Sequence, residues 1–263
     1  MHLTPLVKRI LIAWAALWVL GFLTGLGGDG SGGLNYWLRF DPVGLSDFNF
    51  TSLPGVVGYT LLHDRTNILH LLFNCYIFAL FAPDIEALFP GKRFMLLLLK
   101  AALAGAGATL VLYWIMPGVF GNPVIGGSGL VSAVFAASAA MYPRRLLNLI
   151  LIRVQLLHVF LVISGLDLLY LIGNMFGQFD GVARAVHLAG ALTGWLAVGG
   201  FQRFDGPWKK WMHKAASRKA DQTQRREQND EAELDRILAK ISSEGLPSLT
   251  QAERSFLEKR SKR

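Results

Sequence analysis

The chain reads as an all-α membrane protein: a bundle of six transmembrane helices with a small cytoplasmic helical tail at its C-terminus. Three observations predict this class. Of 263 residues, 52% are hydrophobic and only 17% charged, below the ~25% of an ordinary soluble domain. Six apolar runs recur along the chain, most near the ~20 residues a helix needs to cross hydrocarbon. The charge is also uneven, with 14 of the 26 Lys and Arg and 10 of the 18 Asp and Glu following Phe204. A charge-poor body, residues 1–204, therefore precedes a charge-rich tail, residues 205–263. The net charge of +8 reads as membrane topology, with basic loops beside an apolar body, and not as a nucleic-acid surface. The lipid bilayer is the expected partner and nucleic acid is not. Cys75 is the only cysteine, so there is no disulfide framework and no cysteine-based metal site.

Ile10 to Leu26 follows Lys8-Arg9 and fits either a signal peptide or a first membrane helix. The spans that follow, and the absence of an A-x-A-like cleavage site, favour a helix. Gly27 to Gly33 is a Gly-rich loop. Leu34 to Pro54 mixes Tyr36, Trp37, Phe40, Phe48 and Phe50 with polar residues, which suits an interfacial segment better than a span. The next runs are Asn67–Phe89, Phe94–Met116, Ser128–Tyr142, Leu157–Phe176 and Val182–Phe204. Ser128–Tyr142 is short, as expected of a helix that begins below the membrane surface. Leu146 to Ile152 is apolar but bracketed by Arg144, Arg145 and Arg153. It reads as an interfacial connector or as an early start of the fifth helix.

The positive-inside rule sets the orientation. With the N-terminus inside, the inner loops carry Lys8 and Arg9, Lys92 and Arg93, Arg144 and Arg145, then Arg203, Lys209 and Lys210. The outer loops carry scattered charges of both signs, and Pro117 to Ile125 carries none. Both termini are therefore expected in the cytoplasm. Lys100 sits about two turns into the third helix, where it is expected to snorkel to the inner face. In the tail, Asp221 to Ser243 reads as a charged helix with Leu234, Ile237, Leu238 and Ile241 at helical spacing. Gly245 and Pro247 break it, and Thr250 with Glu253 forms a capping box for a second short helix carrying Phe256 and Leu257. The two apolar faces fit a helical hairpin, with a partly disordered basic tail as the alternative. No partner of the tail is indicated.

Ionisable and polar side chains inside spans are costly and are functional candidates by default. His70 and Asn74 are four apart and share a face of the second helix. Ser128 opens the fourth helix after the Gly126-Gly127 turn, where free N–H groups point outward and the dipole favours negative charge. His187 lies in the sixth, with Gly190, Ala191 and Gly194 on its face. The second, fourth and sixth helices run in the same direction, so all four groups share a depth in the outer part of the bilayer. The small face at Gly190 and Gly194 fits the small-residue run Ser132, Ala133, Ala136, Ala137 and Ala140. Close packing of helices four and six then brings His187 to Ser128. A serine hydroxyl needs a base, and neutral imidazole is the usual one. No carboxylate is evidently placed to orient His187, since Asp167 lies mid-helix in the fifth span and is expected to be too deep. The natural reading is a Ser–His dyad.

The motifs His70-x-x-x-Asn74, Gly126-x-Ser128-Gly129 and His187-x-x-Gly190-x-x-x-Gly194, in this order, resemble those of the rhomboid family of intramembrane serine proteases. Phe81 to Phe94, with Glu86, Gly91, Arg93 and Phe94, is similar to that family's second-to-third connection. The resemblance covers about residues 59–204. It implies Ser128 as nucleophile and His187 as general base. His70, Asn74, Gly127 and the Ser128 backbone N–H are implied as the oxyanion hole, and Gly126, Gly129, Gly190 and Gly194 as close packing around the site. It also implies cleavage of transmembrane segments of other proteins near the outer membrane face, in a bacterial inner membrane, with no metal or cofactor. The first loop is implied to lie half in the bilayer, and Asn174 to Arg184 to cap the site. Three sites depart from the family pattern. Val186 replaces the usual Ala before the histidine and is expected to loosen packing there. Ala82 stands where a Gly is common. Pro54-Gly55 replaces the usual entry to the second helix. The alternative of another functional class is a catalytically inactive protein of the same fold that holds membrane clients without cutting them. Such proteins usually lack the serine or the histidine, and this chain keeps both.

Overall fold

The computed structural model describes residues 3–24, 33–149, 152–177, 181–200, 232, 234–243 and 250–252. The chain forms two compact units, Met1–Phe204 and Asp205–Arg263.

In the first unit, α1 (Pro5–Thr24) is followed by a string of short turns: α2 (Leu34–Leu38), α3 (Pro42–Ser46), a 3-10 turn at Phe50–Ser52, α4 (Gly55–Gly58) and a 3-10 turn at Tyr59–Leu61. This is the aromatic segment expected at an interface. Its polar residues act as caps: Asp41 accepts the N–H groups of Val43 and Gly44 at 3.1 Å each, which satisfies first-turn donors of α3. Long helices follow, α5 (Ile68–Leu88) and α6 (Lys92–Ile115), then the short α7 (Pro117–Phe120) and α8 (Ser128–Met141). Strands β1 (Leu146–Leu149) and β2 (Ile152–Gln155) precede α9 (Leu156–Met175) and α10 (Arg184–Ala197).

Among the described residues, α1, α5, α6 and α9 are long and apolar enough to cross a membrane. Helices α8 and α10 have 14 residues each, about 21 Å at 1.5 Å per residue, short of a ~30 Å hydrocarbon core. The reading of Leu146–Ile152 as the start of the fifth helix is corrected. The segment pairs as an antiparallel hairpin, Leu146 opposite Gln155 and Leu149 opposite Ile152. Branched Ile152 and Val154 favour extended backbone, and α9 begins only after Gln155, which is itself extended.

Helix α8 is the centre of the unit, with 11 of its 14 residues buried. Its small side chains let neighbours approach from several sides. Phe135 packs on Phe81 of α5 and Phe160 of α9. The closest approach is to α10: a Cβ on Gly190 would fall 2.1 Å from the Gly129 carbonyl oxygen, and one on Gly194 would fall 1.9 Å from that of Ala133. Backbone meets backbone along this seam, as small-xxx-small faces allow where lipid removes the usual hydrophobic drive between helices. By contrast, α1 and α9 leave most of their apolar surface exposed. Lys100 is exposed on α6. Glu86 near the end of α5 accepts from the Thr4 hydroxyl and the Val7 N–H, and Asp84 pairs with Arg145.

In the second unit, residues 234–243 are helical, with Ile237 fully buried and Leu238 half exposed. Residues 251 and 252 are helical too. Glu253, Phe256 and Leu257, on which the hairpin reading depends, lie outside the described residues.

Candidate functional site

The turn before α8 is held from two sides. Phe40, from the aromatic segment, forms an isolated antiparallel bridge with Val124. Gly126 donates its N–H to the Tyr59 carbonyl at 2.9 Å. Gly126 has φ +136°, a conformation L side chains rarely adopt. A Cβ there would also lie 3.0 Å from His70 Nε2, so the missing side chain is what lets His70 come this close. At Gly127 a Cβ would meet the Trp14 ring at 2.4 Å. Ser128 is then the first residue of α8, with Gly127 as its N-cap. Its N–H belongs to the first turn, where donors have no intrahelical acceptor.

The seam between α8 and α10 carries His187 to this point. Ser128 Oγ and His187 Nε2 are 2.9 Å apart. Val186, beside His187, is 1% exposed. The expected loosening there does not occur: its Cγ1 fills the space over Gly105 and Gly129, where a Cβ would come within 2.9 and 2.6 Å of it. The two glycines supply the room that the larger residue needs.

The expectation that no carboxylate serves His187 is corrected. Asp167 of α9 places its carboxylate 3.2 and 3.3 Å from His187 Nδ1. Arg184 Nη1 donates to Asp167 Oδ1 at 2.7 Å, and the Arg184 guanidinium lies over the Tyr170 ring, 4.7 Å from its centroid. Asp167 is 6% exposed. Its place in α9, eight residues before the helix ends, suggests a deep position. Helix α10, however, does not start level with the end of α9. Its first residue, Arg184, already sits beside Asp167, so the middle of one helix faces the beginning of the other. From the sequence, Arg184 stands only as the last residue of the Asn174 to Arg184 segment implied to cap the site. The available signal was the rule that an intramembrane carboxylate should be assigned a partner.

The contacts around His187 fit one tautomer. Nδ1–H donates to Asp167, which leaves the Nε2 lone pair to accept the Ser128 hydroxyl. A hydroxyl bonded to neutral imidazole is the arrangement general-base activation of a serine needs.

On α5, His70 and Asn74 face the same space. Asn74 is 6% exposed, and its Nδ2 has no hydrogen-bond partner among the described residues. A buried amide donor left unpaired costs about 1–3 kcal/mol, so such a group calls for an explanation outside stability. Behind His70 lies His63, which is 2% exposed. Its ring packs edge-on against Trp14 and His70, with centroids 5.2 and 5.3 Å apart. Neither ring nitrogen of His63 has a partner among the described residues. Burial, and then the neighbouring His70, push its pKa down to about 3.

Ser128, His187, His70 and Asn74 all line one cavity of about 890 Å³, joined by Asn67, Thr109, Asn174 and Arg184. The four polar groups singled out in the sequence are thus brought together, and Gly181 to Ala183, in the connection before α10, form part of the wall. Gly127, next to Ser128, packs closely against the Trp14 ring.

A comparison with curated proteins finds no match. Residues 220–263 match a family of unknown function, DUF6576. Residues 52–203 match the Rhomboid domain, a stretch that runs from the aromatic segment through α10 and takes in every described residue of the cavity wall. By that match, which covers more than half of its length, and by apolar helices long enough to span a bilayer, the chain belongs to the rhomboid family of membrane proteins.

Proposed function

We propose that this protein is an intramembrane serine endopeptidase that cuts transmembrane segments of other membrane proteins near the outer membrane face. The observation that carries the reading is the 2.9 Å contact between Ser128 Oγ and His187 Nε2 at the wall of a polar cavity. In this reading His187 takes the hydroxyl proton as Ser128 attacks the scissile carbonyl, and returns it to the leaving amine. His70, the Ser128 N–H and the unpaired Asn74 Nδ2 supply donors for the oxyanion. Such donors would stabilise the charge that develops on the oxyanion, in a site of low dielectric. Water enters the cavity and hydrolyses the acyl-enzyme, with His187 again as base. No step requires a metal or cofactor.

We further read all six apolar helices as spans, with α8 and α10 starting below the outer surface and both termini in the cytoplasm. In a bacterium the bilayer would be the inner membrane. The tail would be a separate cytoplasmic module, since none of the proposed catalytic groups lies in it. The test is reaction with a fluorophosphonate probe together with cleavage of a model transmembrane substrate carrying small residues near its outer end. Wild type should label and cleave, and Ser128→Ala should do neither. Cleavage by Ser128→Ala at the wild-type rate would overturn the mechanism. Binding of several substrates by wild type without labelling or cleavage would favour a client-holding protein.

A further inference from the structure

We propose that Asp167 is a positioning residue for His187, so that the site works as a Ser128–His187–Asp167 triad with Arg184 holding the aspartate in place. The inference rests on the serine-protease reading above.

The geometry carries it. Asp167 Oδ2 is 3.2 Å from His187 Nδ1, and Oδ1 is 3.3 Å from it. Arg184 donates to Oδ1 at 2.7 Å. The three residues come from two helices, and Arg184 and His187 are three apart on α10, so both point to the same side of it. A lone buried carboxylate is costly, and pairing with a guanidinium offsets that cost. Arg184 therefore lets an ionised Asp167 persist beside the imidazole. The carboxylate then acts on His187 in two ways. It accepts the Nδ1–H, which fixes the tautomer with a free lone pair on Nε2. It also stabilises the imidazolium formed once the Ser128 proton has moved to Nε2. Asp167 itself keeps its charge throughout, and no proton moves to it.

The placement of Arg184 makes a specific prediction about Asp167→Asn. Arg184 needs an acceptor, so the amide oxygen of the new side chain should take the Oδ1 position. The amide NH2 then takes the Oδ2 position and donates to His187 Nδ1. This selects the opposite tautomer, with a proton on Nε2, which cannot accept from Ser128. The substitution closest in shape is thus expected to be as harmful as the truncation.

The experiment compares wild type, Ser128→Ala, Asp167→Asn and Asp167→Ala in liposomes, by cleavage of the model substrate and by the rate of fluorophosphonate labelling. Both Asp167 variants should lose about 10²- to 10⁴-fold in kcat, with KM changed less than about threefold. Asp167→Asn should be no more active than Asp167→Ala. If Asp167 were merely structural, the isosteric Asn would be much milder than Ala, and that result overturns the proposal. So does an Asp167→Asn variant within threefold of wild-type kcat while Ser128→Ala is dead. Should Asp167→Asn fail to fold, Asp167→Asn with Arg184→Gln removes both charges and leaves neither unpaired. It should still lose at least about 10²-fold in kcat, and wild-type kcat in it overturns the proposal. Full activity of Ser128→Ala would instead sink the protease reading, and this inference with it.

Discussion

The seam between α8 and α10 is the feature on which the site geometry depends, and Gly190→Ala tests it with a single methyl group. The added Cβ would stand 2.1 Å from the Gly129 carbonyl oxygen and 2.9 Å from its carbon. Both atoms belong to the backbone of α8, so no side chain can rotate away. Ordinary van der Waals contact begins near 3.4 Å. The helices must therefore separate by about 1.3 Å, or α10 must twist, and such overpacking typically costs ~1–3 kcal/mol. Gly190 lies one turn beyond His187 on the same helix, so most of that displacement reaches the imidazole. The Ser128–His187 distance would grow from 2.9 Å past the range of a hydrogen bond. Misplacement of a reacting group by ~1 Å can cost ~10²-fold in rate. The expected result is a loss of roughly 10²-fold in kcat with a protein that still inserts, and a Tm lowered by several degrees. Gly194→Ala meets the Ala133 oxygen at 1.9 Å but lies a turn further from His187, so it should cost as much stability and less activity. Gly107 of α6 is the control. A Cβ there meets nothing within 4 Å, and Gly107→Ala should keep full activity and gain up to ~1 kcal/mol from helix propensity. Thermal unfolding in detergent and the fluorophosphonate labelling rate read both quantities. Wild-type labelling and Tm in Gly190→Ala would show that the helices are not in backbone contact, and the packing argument would fail.

Two further expectations follow from buried polar groups. Asn74→Ala should reduce kcat by roughly 10²–10³-fold, as removal of an oxyanion donor does elsewhere, with Tm unchanged or raised because its Nδ2 makes no native hydrogen bond among the described residues. A variant with normal kcat would remove Asn74 from the oxyanion hole. His63 is held neutral, its pKa lying near 3 in the folded protein against ~6.5 unfolded. The unfolded chain therefore binds the extra proton first. Stability from this group is fully present above about pH 6.5 and falls by up to ~1.4 kcal/mol per pH unit below it, down to about pH 3. His63→Phe, which keeps a ring between Trp14 and His70, should flatten this acid loss of Tm. An unchanged pH profile in that variant would mean that His63 is already protonated or solvated in the folded state.

How much of this could be read from residue order alone differs from group to group, for a physical reason. The apolar runs, the small-residue face Gly190-Ala191-Gly194 and the position of Ser128 at the start of a helix are local properties, set by periodicity and by the cost of polar backbone in lipid. They set the ends of α5, α6, α8 and α9 to within two residues of where these helices form, and His70, Asn74, Ser128 and His187 on them or on α10 line one cavity. The hairpin at Leu146–Gln155 was not legible, because a short apolar stretch with basic flanks suits a strand as well as a helix. The role of Asp167 is hidden in the sequence for a different reason. Its depth along α9 is a sequence property, but its partner depends on how far α10 slides along α9, and that is decided by backbone contact at Gly129–Gly190 and Ala133–Gly194. That contact sets α10 deep against α8 and carries Arg184 and His187 to the middle of α9. Residue order sets which groups are present and which helix faces are smooth enough to meet. Only tertiary packing, through the offset between α9 and α10, decided that the histidine would have a carboxylate behind it.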